Sequence, residues 1–233
     1  MSLSSLCTFL LDRGRRCLLA SAGLILFSYG FFLQLQANMG LAPWNALNQG
    51  LSFQFGFSLG TASILMSVLI IVIDLVMGET IGLGTILDAL IVGWFTDLFV
   101  WLNFPVPQTR FLPQLATLLI GIVLCCLGQW LYMLAGLSCG PRDALLVALG
   151  KRVPNIPIGT VNIVLCLAVL AVGVALGSPF GLGTVIATFG TGAIMNLIFK
   201  LLRFEPRSIT HEGLGQTAKA FLQALHGQPT STK

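Results

Sequence analysis

Charge is what this chain has least of. Only 9% of its 233 residues are Asp, Glu, Lys or Arg, against about 25% in an ordinary soluble domain. A water-facing surface cannot be built from so few. Histidine is nearly absent as well, with His211 and His226 both near the carboxyl end. The sequence therefore offers no Ser-His-Asp set, no H-E-x-x-H and no phosphate-binding glycine loop, and an enzyme is not expected. Six cysteines (Cys7, Cys17, Cys125, Cys126, Cys139, Cys166) have no C-x-x-C spacing, so neither a zinc site nor a disulfide framework follows, and no metal or cofactor is expected. The net charge of +4 comes from basic residues at the ends of apolar runs, which argues against nucleic acid as a partner.

What is present is apolar length. The composition is 56% hydrophobic with a mean hydropathy of +0.93, which marks an integral membrane protein in contact with a lipid bilayer. Six windows, near 17–38, 58–77, 82–103, 112–136, 158–177 and 181–202, are long enough to cross a hydrocarbon core of about 30 Å. They leave a lead at 1–16, a first unit at 17–104, a second at 112–203, and a tail at 204–233 in which Leu214, Ala218, Phe221, Leu222 and Leu225 fall on one helical face. Eleven of the twelve Lys and Arg residues flank the windows on one side, and only Arg110 falls on the other. The positive-inside rule then places both termini in the cytoplasm and the protein in a bacterial inner membrane.

The two units are copies of each other. Gly23, Gly30 and Pro43 recur 98 residues later as Gly121, Gly128 and Pro141, and Gly60-Thr61, Gly82-Leu83-Gly84-Thr85 and Gly93 recur 99 later as Gly159-Thr160, Gly181-Leu182-Gly183-Thr184 and Gly192. Trp44 corresponds to Arg142, Asn45 to Asp143, Asp88 to Ala187 and Asp97 to Asn196. Three crossings per copy, an odd number, make the copies enter the membrane from opposite sides. The expected fold is all-α: six transmembrane helices as two inverted three-helix repeats, each with a short Pro-initiated half-helix (43–50, 141–150) between its first and second crossing.

The run G-L-x-P-W-[ND]-x-L-x-x-G-L-S from Gly40 to Ser52, S-x-G-T-A-S from Ser58 to Ser63, G-x-G-T from Gly82 to Thr85 and G-P-R-D-A-L from Gly140 to Leu145 resemble the YczE/YyaS/YitT-type bacterial membrane protein family. Asn45, where that pattern favours Asp, and Val153-Pro154-Asn155 depart from it. The resemblance implies an inner-membrane protein with the character of a transporter and names no substrate.

Inverted repeats with interrupted helices point to a small secondary transporter or permease for a polar small molecule. The alternative is a non-transporting accessory or scaffold protein, or a substrate-capture subunit of a larger transporter, with a homodimer left open. Trp44, Asn45, Arg142 and Asp143 open the two short helices, which either re-enter the membrane and line vestibules or lie flat at the interface with Trp44 among the headgroups. Asp97 falls roughly 22 Å into the bilayer at a rise of about 1.5 Å per residue, a depth at which a carboxylate faces a cavity, a partner or a proton route. Asp88, nine residues earlier, lies on the opposite face and has no acidic counterpart in the second copy. Asn196 is the third pathway candidate on the long helices, with Asp74 and Glu79 expected in a solvated loop. Gly60, Thr61, Gly82, Gly84, Gly159, Thr160, Gly181 and Gly183 are read as packing and helix-start residues. Of Gln34 and Gln36, at most one can face a given cavity.

Overall fold

The computed structural model describes residues 3–204 and Gly213, with side chains described from residue 11 onward. The tail helix proposed around Leu214 to Leu225 lies outside the described residues, as do both histidines.

The described chain is all helix, in the order α1 (Leu3–Ala37), α2 (Pro43–Phe55), α3 (Leu59–Val76), α4 (Leu83–Leu102), α5 (Phe111–Leu134), α6 (Pro141–Arg152), α7 (Ile158–Ala175) and α8 (Leu182–Leu201). Six of these, all but α2 and α6, are long and apolar enough to cross a membrane. Their bounds agree with the six expected windows to within about two residues, except at the start of α1. There the lead is not a separate element: the helix runs on through Arg13 and Arg16, because no Pro or paired glycine interrupts it, and an Arg16–Asp12 ion pair at 2.9 Å spans one turn.

Local chemistry sets the short helices. Pro43 and Pro141 sit at the first helical position, where a missing N–H costs nothing. Gly56, in the left-handed conformation with φ 70°, ends α2 by donating its N–H to the Ser52 carbonyl at 3.0 Å. In α6, Asp143 lies in the first turn and Lys151 and Arg152 in the last, each charge complementing the helix dipole. Both short helices extend past the expected 43–50 and 141–150. From Pro43 to Gly50 only Trp44 escapes full burial, which does not suit a helix lying flat on a surface.

Tertiary contacts come in reciprocal pairs. A methyl group on Gly23 would sit 2.6 Å from the Gly128 carbonyl oxygen, and one on Gly30 would sit 2.6 Å from that of Gly121, so α1 and α5 cross antiparallel with their backbones in contact. The turn opening α4 docks on the segment before α6, where the Thr85 N–H donates to Ser138 Oγ at 2.8 Å and the Thr85 hydroxyl donates to the Cys139 carbonyl at 2.9 Å. The turn opening α8 docks on the segment before α2, with the Gly183 N–H donating to the Met39 carbonyl at 2.8 Å. Likewise α2 packs on α7 and α6 on α3.

One pair of equivalents differs. Helices α3 and α4 pack closely, with Gly60 and Gly93 at the crossing: a methyl on Gly93 would lie 2.7 Å from the Gly60 carbonyl oxygen. Helices α7 and α8 barely touch, and neither Gly159 nor Gly192 has anything within 4 Å of where its Cβ would be.

Candidate functional site: a polar cavity between the short helices

A cavity of about 360 Å³ is lined by residues of all eight helices. The first turns of both Pro-initiated helices reach it, through Pro43, Trp44 and Asn45 of α2 and Arg142 and Asp143 of α6. The Arg142 guanidinium carbon lies 5.4 Å from the centre of the Trp44 ring, so the side chains at the two equivalent motif positions stack on each other. Trp44 is thus a cavity residue and not a headgroup anchor.

Asp88 lines the same cavity from the second turn of α4, its carboxylate against Gly140, where a side chain would meet Oδ2 at 3.4 Å. Asp88 and Asp143 both act electrostatically on Arg142. Asp143 has an interaction partner of its own. Asp88 and Arg142, in contrast, form no hydrogen bond or ion pair among the described residues.

The neutral lining has spare hydrogen-bonding capacity too. Asn45 and Gln129 face the cavity and their amides bond to no described residue. Asn162, Thr188 and Thr191 face it from α7 and α8, with Ser63 and Ser67 opposite on α3. The Thr188 and Thr191 hydroxyls donate to Thr184 and Ala187 carbonyls, both at 2.6 Å, and retain acceptor capacity. Polar groups in such a space need water or a solute as partner. Gln34 also lines it and donates to Cys125 Sγ at 3.2 Å, whereas Gln36 turns away to donate to Asn103 Oδ1 at 2.8 Å.

Asp97 lies elsewhere. Its Oδ1 accepts from the Gly60 N–H at 2.6 Å and its Oδ2 from the Ser58 hydroxyl at 2.5 Å, so it caps the amino terminus of α3 from α4. Asn196 has no such role. Its side chain is exposed, and Pro157 stands where Ser58 stands in the first copy, with no hydroxyl to give. Gly60 and Gly84 lie in close contacts. Gly82 and Gly181 start helices, each N–H donating to Thr85 or Thr184 Oγ1 at 3.4 Å, Gly183 meets Met39, and Thr61 bonds back to Ser58 through its N–H at 3.1 Å. Gly159 and Thr160 are exposed at the start of α7.

Asp74 corrects an expectation. It is not a solvated loop residue but fully buried in the last turns of α3, which continues to Val76 and packs on α6, and neither carboxylate oxygen bonds to a described residue. Its equivalent in α7 is Gly173, a close-contact point for α2. Glu79 does lie beyond the helix, where it receives Lys151 at 2.7 Å. The sequence reading also passed over Tyr132 and Asn162. The signal was available for Asn162, which falls 99 residues after Ser63 in the repeat register.

Among the described residues no group of three His, Cys, Asp or Glu is placed to hold a metal. The Cys139 thiol, between α5 and α6, is pushed up to about 11 by burial and then by Asp143, so it stays protonated near neutrality.

Residues 14–200 match the family of unknown function DUF6198. The chain belongs to that family. It is similar to an uncharacterised protein of Haemophilus influenzae, 30% identical over 179 residues that cover 77% of this chain and 81% of the relative. It is also similar to two proteins of Bacillus subtilis. One is the uncharacterised membrane protein YczE, 29% identical over 75% of this chain and 80% of the relative, and the other is the uncharacterised protein YyaS, 28% identical over 77% and 90%. These relatives support a YczE/YyaS-type membrane protein, as the Gly40–Ser52 and Gly140–Leu145 motifs implied. No solved structure matches the chain.

Proposed function

We propose that this protein is a small secondary transporter of a polar solute, built as two inverted repeats that rock against each other around the cavity. The observation that carries the reading is the inequality of two equivalent helix pairs. Gly60 and Gly93 are in contact and Asp97 ties α4 to the start of α3, while Gly159 and Gly192 stand apart. If the copies are related by a two-fold axis in the membrane plane, the same sequence positions form one closed gate and one open gate. Exchanging the two is alternating access.

Other contacts support the two-fold relation. Gly23 meets Gly128 and Gly30 meets Gly121, the reciprocal pattern of an isologous interface. Trp44 and Arg142, equivalent positions in direct contact, would lie near the axis, and the cavity surrounds them. With the termini cytoplasmic in an inner membrane, the open side between α7 and α8 faces the cytoplasm and the closed side between α3 and α4 the periplasm. A scaffold protein would favour a dry interface between the copies, and Asp88, Arg142 and Gln129, whose side chains hydrogen-bond to no described residue, argue for a wet one.

The test is a disulfide across the open gate. In proteoliposomes made with the Pro157→Cys, Asn196→Cys variant on a background lacking the native cysteines, at the equivalents of Ser58 and Asp97 whose side chains meet in the closed pair, oxidation should form the bond and stop solute counterflow, and reduction should restore it. Failure of the two thiols to cross-link under any condition would show that α7 and α8 never close, and would remove alternating access.

A further inference from the structure

We infer that the cavity takes a small zwitterion, a solute with a cationic nitrogen at one end and a carboxylate at the other. The inference deepens the transporter reading and rests on the same cavity. Asp88 and Arg142 both line that space, both are unequal to their repeat equivalents (Ala187 and Trp44), and neither forms a hydrogen bond or ion pair with the other or with any described residue, Arg142 having the Trp44 ring face beside it. Two opposite charges that share a cavity without meeting leave a gap that a ligand of both signs fills.

Single-charge ligands fit less well. A solute with only an ammonium group would satisfy Asp88 and leave the guanidinium to the Trp44 ring, the fields of Asp88 and Asp143, and water; one with only a carboxylate would leave Asp88 to water. Each forgoes one of the two charged hydrogen bonds the cavity offers, and so binds more weakly than a ligand of both signs. Arg142 is held for its part, since its guanidinium lies over the Trp44 ring and its fork of N–H donors is suited to a carboxylate. The Asp88 carboxylate lies beside Gly140, within van der Waals reach of where a Cβ there would be. Asn45 and Gln129 supply neutral hydrogen bonds, and Phe27 and Leu165 supply apolar wall for a short carbon spacer. A volume of about 360 Å³ accommodates a solute of amino-acid size with a few waters.

The experiment uses the purified full-length chain in detergent and a panel of ω-amino acids from glycine to 6-aminohexanoate, each beside the amine and the carboxylate of matching chain length. At least one amino acid should raise the apparent melting temperature saturably where its two single-charge analogues do not. Asp88→Asn and Arg142→Gln should each weaken that binding roughly 10- to 100-fold, the loss expected for one charged hydrogen bond. Asp88→Glu keeps the charge, protects against a merely structural explanation, and should shorten the preferred spacer by one methylene. Binding of an amine or an acid as tightly as of any amino acid, no response to any panel member, or a spacer preference unmoved in Asp88→Glu would each overturn the zwitterion site. Saturable zwitterion binding without counterflow in proteoliposomes would support the site and sink the transporter reading, whereas counterflow of a singly charged solute would overturn the site and leave transport standing.

Discussion

Helices α3 and α4 and helices α7 and α8 are written in the same glycine code and do not adopt the same arrangement. The first pair is closed on Gly60 and Gly93; the second leaves Gly159 and Gly192 facing open space. What separates them is polar chemistry at one end. Asp97 receives two hydrogen bonds from the start of α3, from the Ser58 hydroxyl and the Gly60 N–H. The second copy offers Asn196 and Pro157 at these positions, a neutral amide and a residue with no donor. Glycines allow close approach, but they do not hold it. A carboxylate placed on an unpaired helix amino terminus does.

The comparison can be broken most severely at the crossing itself. Gly93→Leu should lower stability by about 3 kcal/mol or more, since the side chain collides with Ile64 and the Gly60 backbone. Gly192→Leu should change it by less than about 0.5 kcal/mol. Apparent melting temperatures of the two variants in the same detergent decide the point, and equal losses would mean that the α7–α8 gap is not there in solution.

Next comes the tie. Asp97→Asn should cost about 1.5–2 kcal/mol, because a charge-assisted cap becomes a neutral one, while Asn196→Asp should leave the melting temperature nearly unchanged. The pair can also be made alike. Pro157→Ser with Asn196→Asp supplies the second copy with the donor and acceptor of the first, and should favour a closed α7–α8 pair. On the transporter reading this variant keeps its fold and loses roughly tenfold in flux, the effect of about 1.4 kcal/mol on a gate equilibrium. Flux equal to wild type would detach the tie from gating. The smallest effect is expected at Lys151. It meets Glu79 at 2.7 Å but is largely exposed, and Lys151→Ala should cost under about 1 kcal/mol, with the loss shrinking as salt is raised.

Much of the architecture was legible in the residues. Window length marked six helices long and apolar enough to cross a membrane, and Pro43 and Pro141 after Gly40 and Gly140 marked two short helices between them, since proline at a first helical turn starts a helix and does not continue one. The nine-residue spacing of Asp88 and Asp97 correctly separated them to two faces of α4, by helical geometry alone. Their roles were not legible in that way. Depth made Asp97 the sharper pathway residue in sequence, yet its partner is the end of another helix, a contact 39 residues away in the chain for Ser58. Asp74 looked like a loop residue because it is near a polar turn, and its burial is a matter of tertiary packing, which its neighbours in sequence do not reveal.

The sequence by itself therefore determined the apolar solvent, the six helices long enough to cross it, the recurring glycine and proline positions and the residues of the two Pro-initiated motifs, because those follow from hydropathy, length and local backbone preference. Only the tertiary structure decided that Trp44 and Arg142 stack on each other, that Asp88 enters the shared cavity while Asp97 closes a helix end, and that one of two like-coded helix pairs is shut. Such facts depend on which surfaces meet. The same glycine spacing occurs twice in this chain, and the difference lies in the few positions, Ser58 and Pro157, Asp97 and Asn196, where a contact can or cannot be completed.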